Sequence, residues 1–556
     1  MFNKEVPHKT SADVLNGNSQ IASYFAAVDN AVSIGDTNKR YQPVNNTSYG
    51  PPPPIHGNTF TTVIISPTAD NTADIYNGYI RAKMKIRVTH TDVNIAAWSE
   101  TDTVGEGETD ATKRKLTNPH KVWVGFKDAM DAIEKYEIMA NGISIYTQNN
   151  AIEESYITAC AMPDAVRKTN SFSHVTHKDV FMNKFSNGCG AYVDLAGVTK
   201  GTAVEAEIPL KIDLRRFLPL SNIKFLPAFA GKIELRILFG TAGLVCAPVS
   251  PIACFKSPQY ASMFDITSIT NEFVPIGEKF WMVTSYTAPT QSSATAPPTA
   301  YGKLEAGELT MSATIDQISE CESVINCFGI ASDVYDELVQ HYCQTPLTFP
   351  TQTLSFAPLA NVINKSGNGS SSITLTPRFV DSLFLLFPLK QRYRTCYKNP
   401  QLDNMQIQCG GYGSLPGIAH GTCSKGAAQT IEELQNALNL NGDLVGLNKD
   451  VVRSMVEDKL TTYFKTGHES RNATDFLVGF ATETDNTFQQ GQTSNTPITY
   501  TFTYNHSKDA KYHTDVEVPP ILGVLVDSTF SIQIRPDGAP PIVEIGAYDI
   551  TSPVMM

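Results

Sequence analysis

Residues 207–239 read EIPLKIDLRRFLPLSNIKFLPAFAGKIELRILF, and the end of this stretch decides the fold. Ile233, Leu235, Ile237 and Phe239 alternate with Lys232, Glu234 and Arg236. A period of two over that length predicts a strand with one buried and one wet face. Upstream, Asp213–Leu218 supports one helical turn, which Pro219 ends. Apolar residues then run from Phe225 through Gly231 into the strand.

The same design returns near the C-terminus. Pro519-Pro520-Ile521-Leu522-Gly523-Val524-Leu525-Val526-Asp527 leads into Ser528–Arg535, where Phe530, Ile532 and Ile534 face one way and Ser531, Gln533 and Arg535 the other. Two copies of one late-strand unit predict two copies of one β domain. A looser repeat pairs Glu134–Gly142 with Leu402–Gly410. Its offset differs from that of the late strands, and two helices inserted in the second half absorb the difference.

A chain of 556 residues is too long for one ordinary core and fits two large β domains. Charged residues make up only 18% of it, and Thr, Ser, Asn, Gly and Pro fill the gap. That mix suits many strands joined by ordered loops. The net charge of −12 argues against binding nucleic acid through the whole surface. No apolar run is long enough to span a membrane, and the opening MFNKEVPHKTSADVLNGNSQ lacks the apolar core of a secretory signal. The ten cysteines include no CxxC, so reduced thiols in a cytosolic or nuclear compartment are expected, with no disulfide at Cys321/Cys327 or Cys246/Cys254.

Residues 1–58 read as an extended arm ending in Pro51-Pro52-Pro53-Pro54. Its Lys4, Lys9, Lys39 and Arg40 are balanced by Glu5, Asp13, Asp29 and Asp36, so it is no polycationic tail. Thr61–Ser66 is a short strand. In IRAKMKIRV, residues 80–88, an apolar face alternates with Arg81, Lys83, Lys85 and Arg87. The basic row reads as a solvated sheet surface; the sharper alternative is a patch facing genome, membrane or an acidic neighbour. Glu100–Lys115 is expected to be an exposed loop, Val122–Phe126 a strand, and 128–135 one or two helical turns. Asn141-Gly142 between apolar runs predicts a hairpin.

Thr287–Thr299 reads as a linker and Lys365–Ser372, KSGNGSSS, as a flexible turn. Strands are expected at Leu309–Ile315, Leu347–Leu359, Ile373–Leu375, Ser382–Phe387 and Met405–Ile407. Another is expected where Ile498, Tyr500, Phe502 and Tyr504 alternate with threonines. A capping box at Thr430 and Glu433 predicts a helix near 430–440, and Val452, Met455, Val456 and Tyr463 share a face of another over 449–464.

No nucleophile elbow, HExxH, P-loop or EF-hand loop is present. His174, His177 and Asp179 have a ligand-like spacing but no third His or Cys at zinc-site distance, so ordinary loop histidines are the reading. Gly410–Gly417 is glycine-rich but lacks the P-loop lysine and reads as a turn.

Three segments carry a family resemblance: residues 208–239, the Asn-Pro strand entry Lys398-Asn399-Pro400-Gln401-Leu402-Asp403-Asn404-Met405-Gln406-Ile407, and the terminal PPILGVLVDSTFSIQIRPDG. In these the chain resembles double jelly-roll major capsid proteins of double-stranded DNA viruses, in the virophage, Polinton-like virus and adintovirus group. The resemblance implies an all-β chain of two consecutive jelly-roll sandwiches with short inserted helices. The expected layout is an arm over 1–58, a first jelly roll over 59–270, a linker over 271–305 and a second jelly roll over 306–556. It further implies a homotrimeric, pseudo-hexameric capsomer of an icosahedral shell. Its partners would be itself, neighbouring capsomers, a penton protein and minor or cement proteins. No enzyme activity, cofactor, metal, catalytic residue or sequence-specific nucleic-acid binding is implied. The place of action would be the virion, assembled in host cytoplasm or nucleus. The alternatives are an RNA-virus coat protein with shell and projection domains, and a multi-domain β glycan-binding protein or glycoside hydrolase.

Overall fold

The computed structural model describes Lys39–Gln42 and most of residues 60–547; the larger stretches outside the description are 1–38, 43–59, 99–115, 162–174, 411–426, 439–450, 453–474, 483–496, 507–517 and 548–556. The arm other than Lys39–Gln42, the loop 100–115, and His174, His177 and Asp179 therefore lie outside the described residues. So does the 449–464 helix apart from Val451 and Val452, which are helical.

The first half contains β1 (Lys39–Gln42), β2 (Phe60–Ile64), β3 (Asn71–His90), β4 (Lys121–Gly125), β5 (Ile133–Ala140) and β6 (Ile143–Gln148). Helix α1 (Ala151–Cys160) follows, then β7 (Gly190–Asp194), β8 (Val204–Asp213), β9 (Phe225–Pro227), β10 (Ile233–Phe239) and β11 (Val245–Pro248). Next come β12 (Phe264–Ile266), β13 (Val274–Pro275), β14 (Lys279–Thr287) and the long β15 (Gly302–Gly329). The second half holds α2 (Ser332–Gln344), β16 (Leu347–Pro358), β17 (Gly367–Leu375), β18 (Val380–Leu386), β19 (Asn404–Cys409) and α3 (Ala427–Ala437). It ends with β20 (Val478–Ala481), β21 (Ile498–His506), β22 (Ile521–Gln533) and β23 (Ile542–Ala547).

Strand pairing is nested in both halves. In the second, β16 pairs β22, β17 pairs β21 and β18 pairs β20, all antiparallel, and β22 also pairs β18. Early strands thus meet late ones, and alternate strands fall into opposite sheets: β16-β22-β18-β20 and β17-β21-β19. This wrapped arrangement is a jelly roll. The first half repeats it: β2 pairs β10, β3 pairs β8 and β4 pairs β7, while β10 and β11 pair β5 and β4. The chain is a double jelly roll, and β10 and β22 hold the same place in the two nests, as their sequences suggested.

The looser repeat does not follow suit. β5, which holds Tyr136–Ala140, pairs β10, whereas β19, which holds Met405–Cys409, pairs β21 in the opposite sheet. Their likeness is that of any alternating strand followed by a glycine turn.

Inward residues of β10 show what drives the fold. Ile233, Leu235, Ile237 and Phe239 are essentially solvent-free, each worth about 1.5–3 kcal/mol relative to exposure. On the wet side, Arg236 pairs with Glu137 of β5 at 3.2 Å. The basic row of β3 is also matched: Arg81 with Glu322, Lys83 with Glu320 at 2.8 Å, Lys85 with Glu205 at 2.7 Å, and Arg87 with Asp316 at 3.1 Å. The acidic partners stand on the flanking strands β8 and β15. Such exposed pairs add little stability each, but they leave the row neutralised within its own sheet.

The Asn141-Gly142 hairpin forms, with φ of 51° and 83° at its two residues, the backbone a two-residue turn between twisted strands requires. Gly125 and Gly190 are directly opposed in β4 and β7, and a Cβ on Gly190 would lie 2.2 Å from the Trp123 ring. The glycines make room for that ring.

Three local readings are corrected. Gly367–Ser372 is strand rather than turn, because the segment runs in unbroken register with β21. The turn at 213–218 is 3-10 (Leu214–Arg216), and Pro219 lies inside a second one (Leu218–Leu220) rather than ending the first. Pro is tolerated there because the first turn of a helix needs no amide donor. Finally, Leu309–Ile315 is only part of β15. Among the described residues, no helix is long and apolar enough to cross a membrane.

Candidate functional site: the joint between the sandwiches

The two cores interlock. Leu347, Phe349, Phe530 and Ile532, from β16 and β22, pack in the first core, while Tyr156, Ile157, Cys160 and Leu218 pack in the second. Helix α1 lies at this seam. It is buried on nearly all sides, although its sequence AIEESYITAC places Glu153, Glu154, Ser155 and Thr158 inside. Each buried polar group must then find a partner.

Glu154 accepts from Tyr136 Oη at 2.9 Å, Gln148 Nε2 at 2.8 Å and the Leu218 amide at 3.1 Å. Burial pushes its carboxyl up to about 7 against these three donors. Asp131 takes the Ser155 hydroxyl at 2.7 Å. Burial, and after it the neighbouring Asp128 carboxylate, push Asp131 up to about 8. Arg216 donates to Asp128 Oδ2 at 2.7 Å and to the Ser155 carbonyl at 3.1 Å.

Other bonds cross the seam. Lys127 Nζ reaches Asp475 Oδ1 at 2.7 Å and the Thr395 carbonyl at 2.8 Å. Burial alone would lower this amine, but Asp475 and the nearby Cys396 and Asp131 together outweigh it and the pKa rises. Arg394 grips Glu153 with Nε at 2.7 Å and with Nη2. Gln148 donates to the Leu354 carbonyl at 2.7 Å, Thr351 to the Leu218 carbonyl at 3.0 Å, and Tyr156 to the Phe476 carbonyl at 3.1 Å. The Tyr156 and Tyr397 rings stand 4.5 Å apart. A crevice of about 460 Å³ opens beside this seam, lined among others by Glu153, Arg394, Phe356 and Pro519.

Chemically this is a clamp. Lys127 and Glu153 pair with Asp475 and Arg394 of the opposite sandwich, while Glu154, Asp131 and the Asp128–Arg216 pair find their partners within the first. Among the described residues, no group of His, Cys, Asp and Glu could hold a metal ion. Sequence reading missed the clamp. The one available signal was the pair Glu153-Glu154 inside an otherwise apolar ten-residue helix.

Comparison with known proteins gives structural likenesses alone. No family model matches the sequence, and no curated protein does. Among solved structures, the chain is similar to the mavirus major capsid protein, with 9% identity, a TM-score of 0.42, and 93% of this chain and 92% of that one covered. It is similar to a chain in the cryo-EM structure of the Sputnik virophage, with 10% identity, a TM-score of 0.41 and 89% and 90% covered. For the Faustovirus major capsid protein the figures are 9%, 0.40, and 90% of both chains. The strand pairing and the joint are properties of this chain, independent of these likenesses.

Proposed function

We propose that this chain is the major shell subunit of an icosahedral double-stranded DNA virus and works as a homotrimer without catalytic activity. The observation that carries the reading is the pair of equally nested jelly rolls joined by interlocked cores and buried ion pairs. Three such units around a closed axis present six similar lobes, so a trimer can fill a six-neighbour place in a shell. A rigid joint is what that role needs, because an error in lobe angle would be multiplied at every contact around the lattice.

The sequence resemblance in residues 208–239, 398–407 and 519–538 supports the same reading. The division into an arm (1–58), a first jelly roll (59–270), a linker (271–305) and a second jelly roll (306–556) is part of it, with β15 lending its length to the first sandwich's sheet. Neighbouring capsomers, a penton protein and minor or cement proteins are the proposed partners, and the virion is the proposed location, reached by assembly in host cytoplasm or nucleus.

Size-exclusion chromatography with light scattering tests the proposal. A stable species of three times the 60.7 kDa chain mass is expected. A monomer that binds oligosaccharides would contradict it in favour of a glycan-binding protein.

A further inference from the structure

The outward faces of the two nests differ in chemistry. β3 and β8 in the first half, and β17 and β21 in the second, occupy equivalent places. Outward from β3 and β8 stands the ion-paired row of Arg81 to Arg87 with its acidic partners. Outward from β17 and β21 stand Ser370, Ser372, Thr374, Thr499, Thr501 and Thr503, all exposed or half-exposed. No outward residue of these two strands, or of β19 beside them, carries a charge. The Thr374 and Thr499 hydroxyls lie 2.9 Å apart. At one end, Asn368, Asn404 and Asn505 line a hollow of about 800 Å³.

Burying the first face would strip water from rows of charged groups, a large cost. Burying the second removes water only from hydroxyls and amides, each of which can both donate and accept. Interface centres are depleted in charge for this reason. A neutral, β-rich sheet left in water is also an association hazard unless it has an intended partner.

We propose that the outward face of β17-β21-β19 is a self-association surface that meets the same face of a second copy, while the β3-β8 face stays in water. A surface of mixed donors and acceptors with no net sign is complementary to itself, as a two-fold contact requires. No aromatic residue points outward from these strands to pack against a sugar ring, which favours a second copy over a glycan. Strand geometry gives the face roughly 30 Å by 14 Å, or about 800 Å² across a facing pair. Stable complexes bury about 1,200–2,000 Å². The contact is therefore weak alone and suited to joining neighbouring capsomers many times over, a role that rests on the shell-subunit reading.

Cysteine cross-linking of the full chain tests this. Thr501 lies at the centre of the face, opposite Ser372 and Gln408. Under mild oxidation at high protein concentration, Thr501→Cys is expected to give at least tenfold more covalent chain pairs than Lys85→Cys, a site on the charged face. Thr501→Lys should abolish concentration-dependent association while the melting temperature and the mass of the dilute species hold. Equal cross-linking at the two sites, unchanged association of Thr501→Lys, or protection of Thr501→Cys by a neutral oligosaccharide would each overturn the proposal. A monomeric dilute species that still pairs through Thr501→Cys would sink the trimer and leave this surface standing.

Discussion

Lys127 Nζ and Asp475 Oδ1 lie 2.7 Å apart across the seam between the two jelly rolls, although 348 residues separate them in the chain. The lysine leaves the end of β4 and the aspartate stands just before β20, so this pair, with Arg394 and Glu153, ties one nest to the other. Both side chains are largely shielded from water, which makes the pair a specific, costly contact rather than a decorative one.

Removing one partner should therefore be expensive. Lys127→Met removes the ammonium that Asp475 and the Thr395 carbonyl share and is expected to cost about 3–5 kcal/mol. The double variant Lys127→Met with Asp475→Leu should recover a large part of that loss. Denaturant unfolding of the three proteins gives the comparison. A single variant as stable as the parent would show that the pair does not hold the seam.

The joint also predicts a pH dependence. Glu154 titrates at about 7 and Asp131 at about 8 in the fold, chiefly because of burial, against roughly 4 in the unfolded chain. Groups whose pKa is raised by folding contribute stability that is full below the unfolded value and lost as pH rises through the folded one. Stability is thus expected to fall between about pH 4 and pH 8, by on the order of 4 kcal/mol for Glu154. In the lower part of that window His90 and His120 act in the opposite sense. Burial lowers both, so their contribution is full above about pH 6.5 and lost under acid. Melting curves from pH 5 to 9 should show an alkaline limb that Glu154→Gln with Asp131→Asn flattens. An unchanged limb in that variant would assign the dependence elsewhere.

Thiol chemistry gives a third prediction. The nine cysteines within the described residues stand outside any disulfide, and eight of them are buried. Burial pushes Cys254 up to about 11 and Cys321 to about 12, which keeps the reactive thiolate scarce. Native alkylation should label the half-exposed Cys343 well before these, and alkylation of unreduced, denatured protein should modify all ten cysteines of the chain. A Cys321–Cys327 or Cys246–Cys254 bridge in the mass spectrum would contradict this.

The arm gives a fourth. Lys39–Gln42 adds one short antiparallel strand along Ile325–Phe328 of β15, and residues 1–58 as a whole balance four basic against four acidic side chains and have too little apolar content to fold alone. Deleting residues 1–50 is expected to leave a folded trimer with nearly the same melting temperature but to impair shell assembly. Loss of the trimer, or normal particles from the truncated chain, would show that the arm has another task.

What the sequence revealed and concealed follows from physical causes. β3 and β10 were legible because one face is buried and the other wet, so alternation is clean. The Asn141-Gly142 hairpin was legible because only a few residue types accept its backbone. β15 was read only over Leu309–Ile315: register shifts between Ile315 and Gln317, Ser319 and Glu322, and Val324 and Asn326 break its period of two. Gly367–Ser372 looked like part of a flexible turn, yet pairing with β21 overrides its weak strand propensity, and Gly369 leaves space for the Tyr504 ring, from which a Cβ would stand 2.3 Å. Helix α1 was missed because a helix buried all round has no polar stripe to reveal its period. The clamp was hidden for a simpler reason: Lys127 and Asp475, or Glu153 and Arg394, become partners only once both nests have closed.

The most direct measurement of the central claim is class-averaged electron microscopy of the main chromatographic peak. The account predicts particles with three-fold symmetry and a six-lobed, pseudo-hexagonal outline, two lobes from each chain. Two-lobed single chains, or three-fold particles with only three lobes, would contradict it.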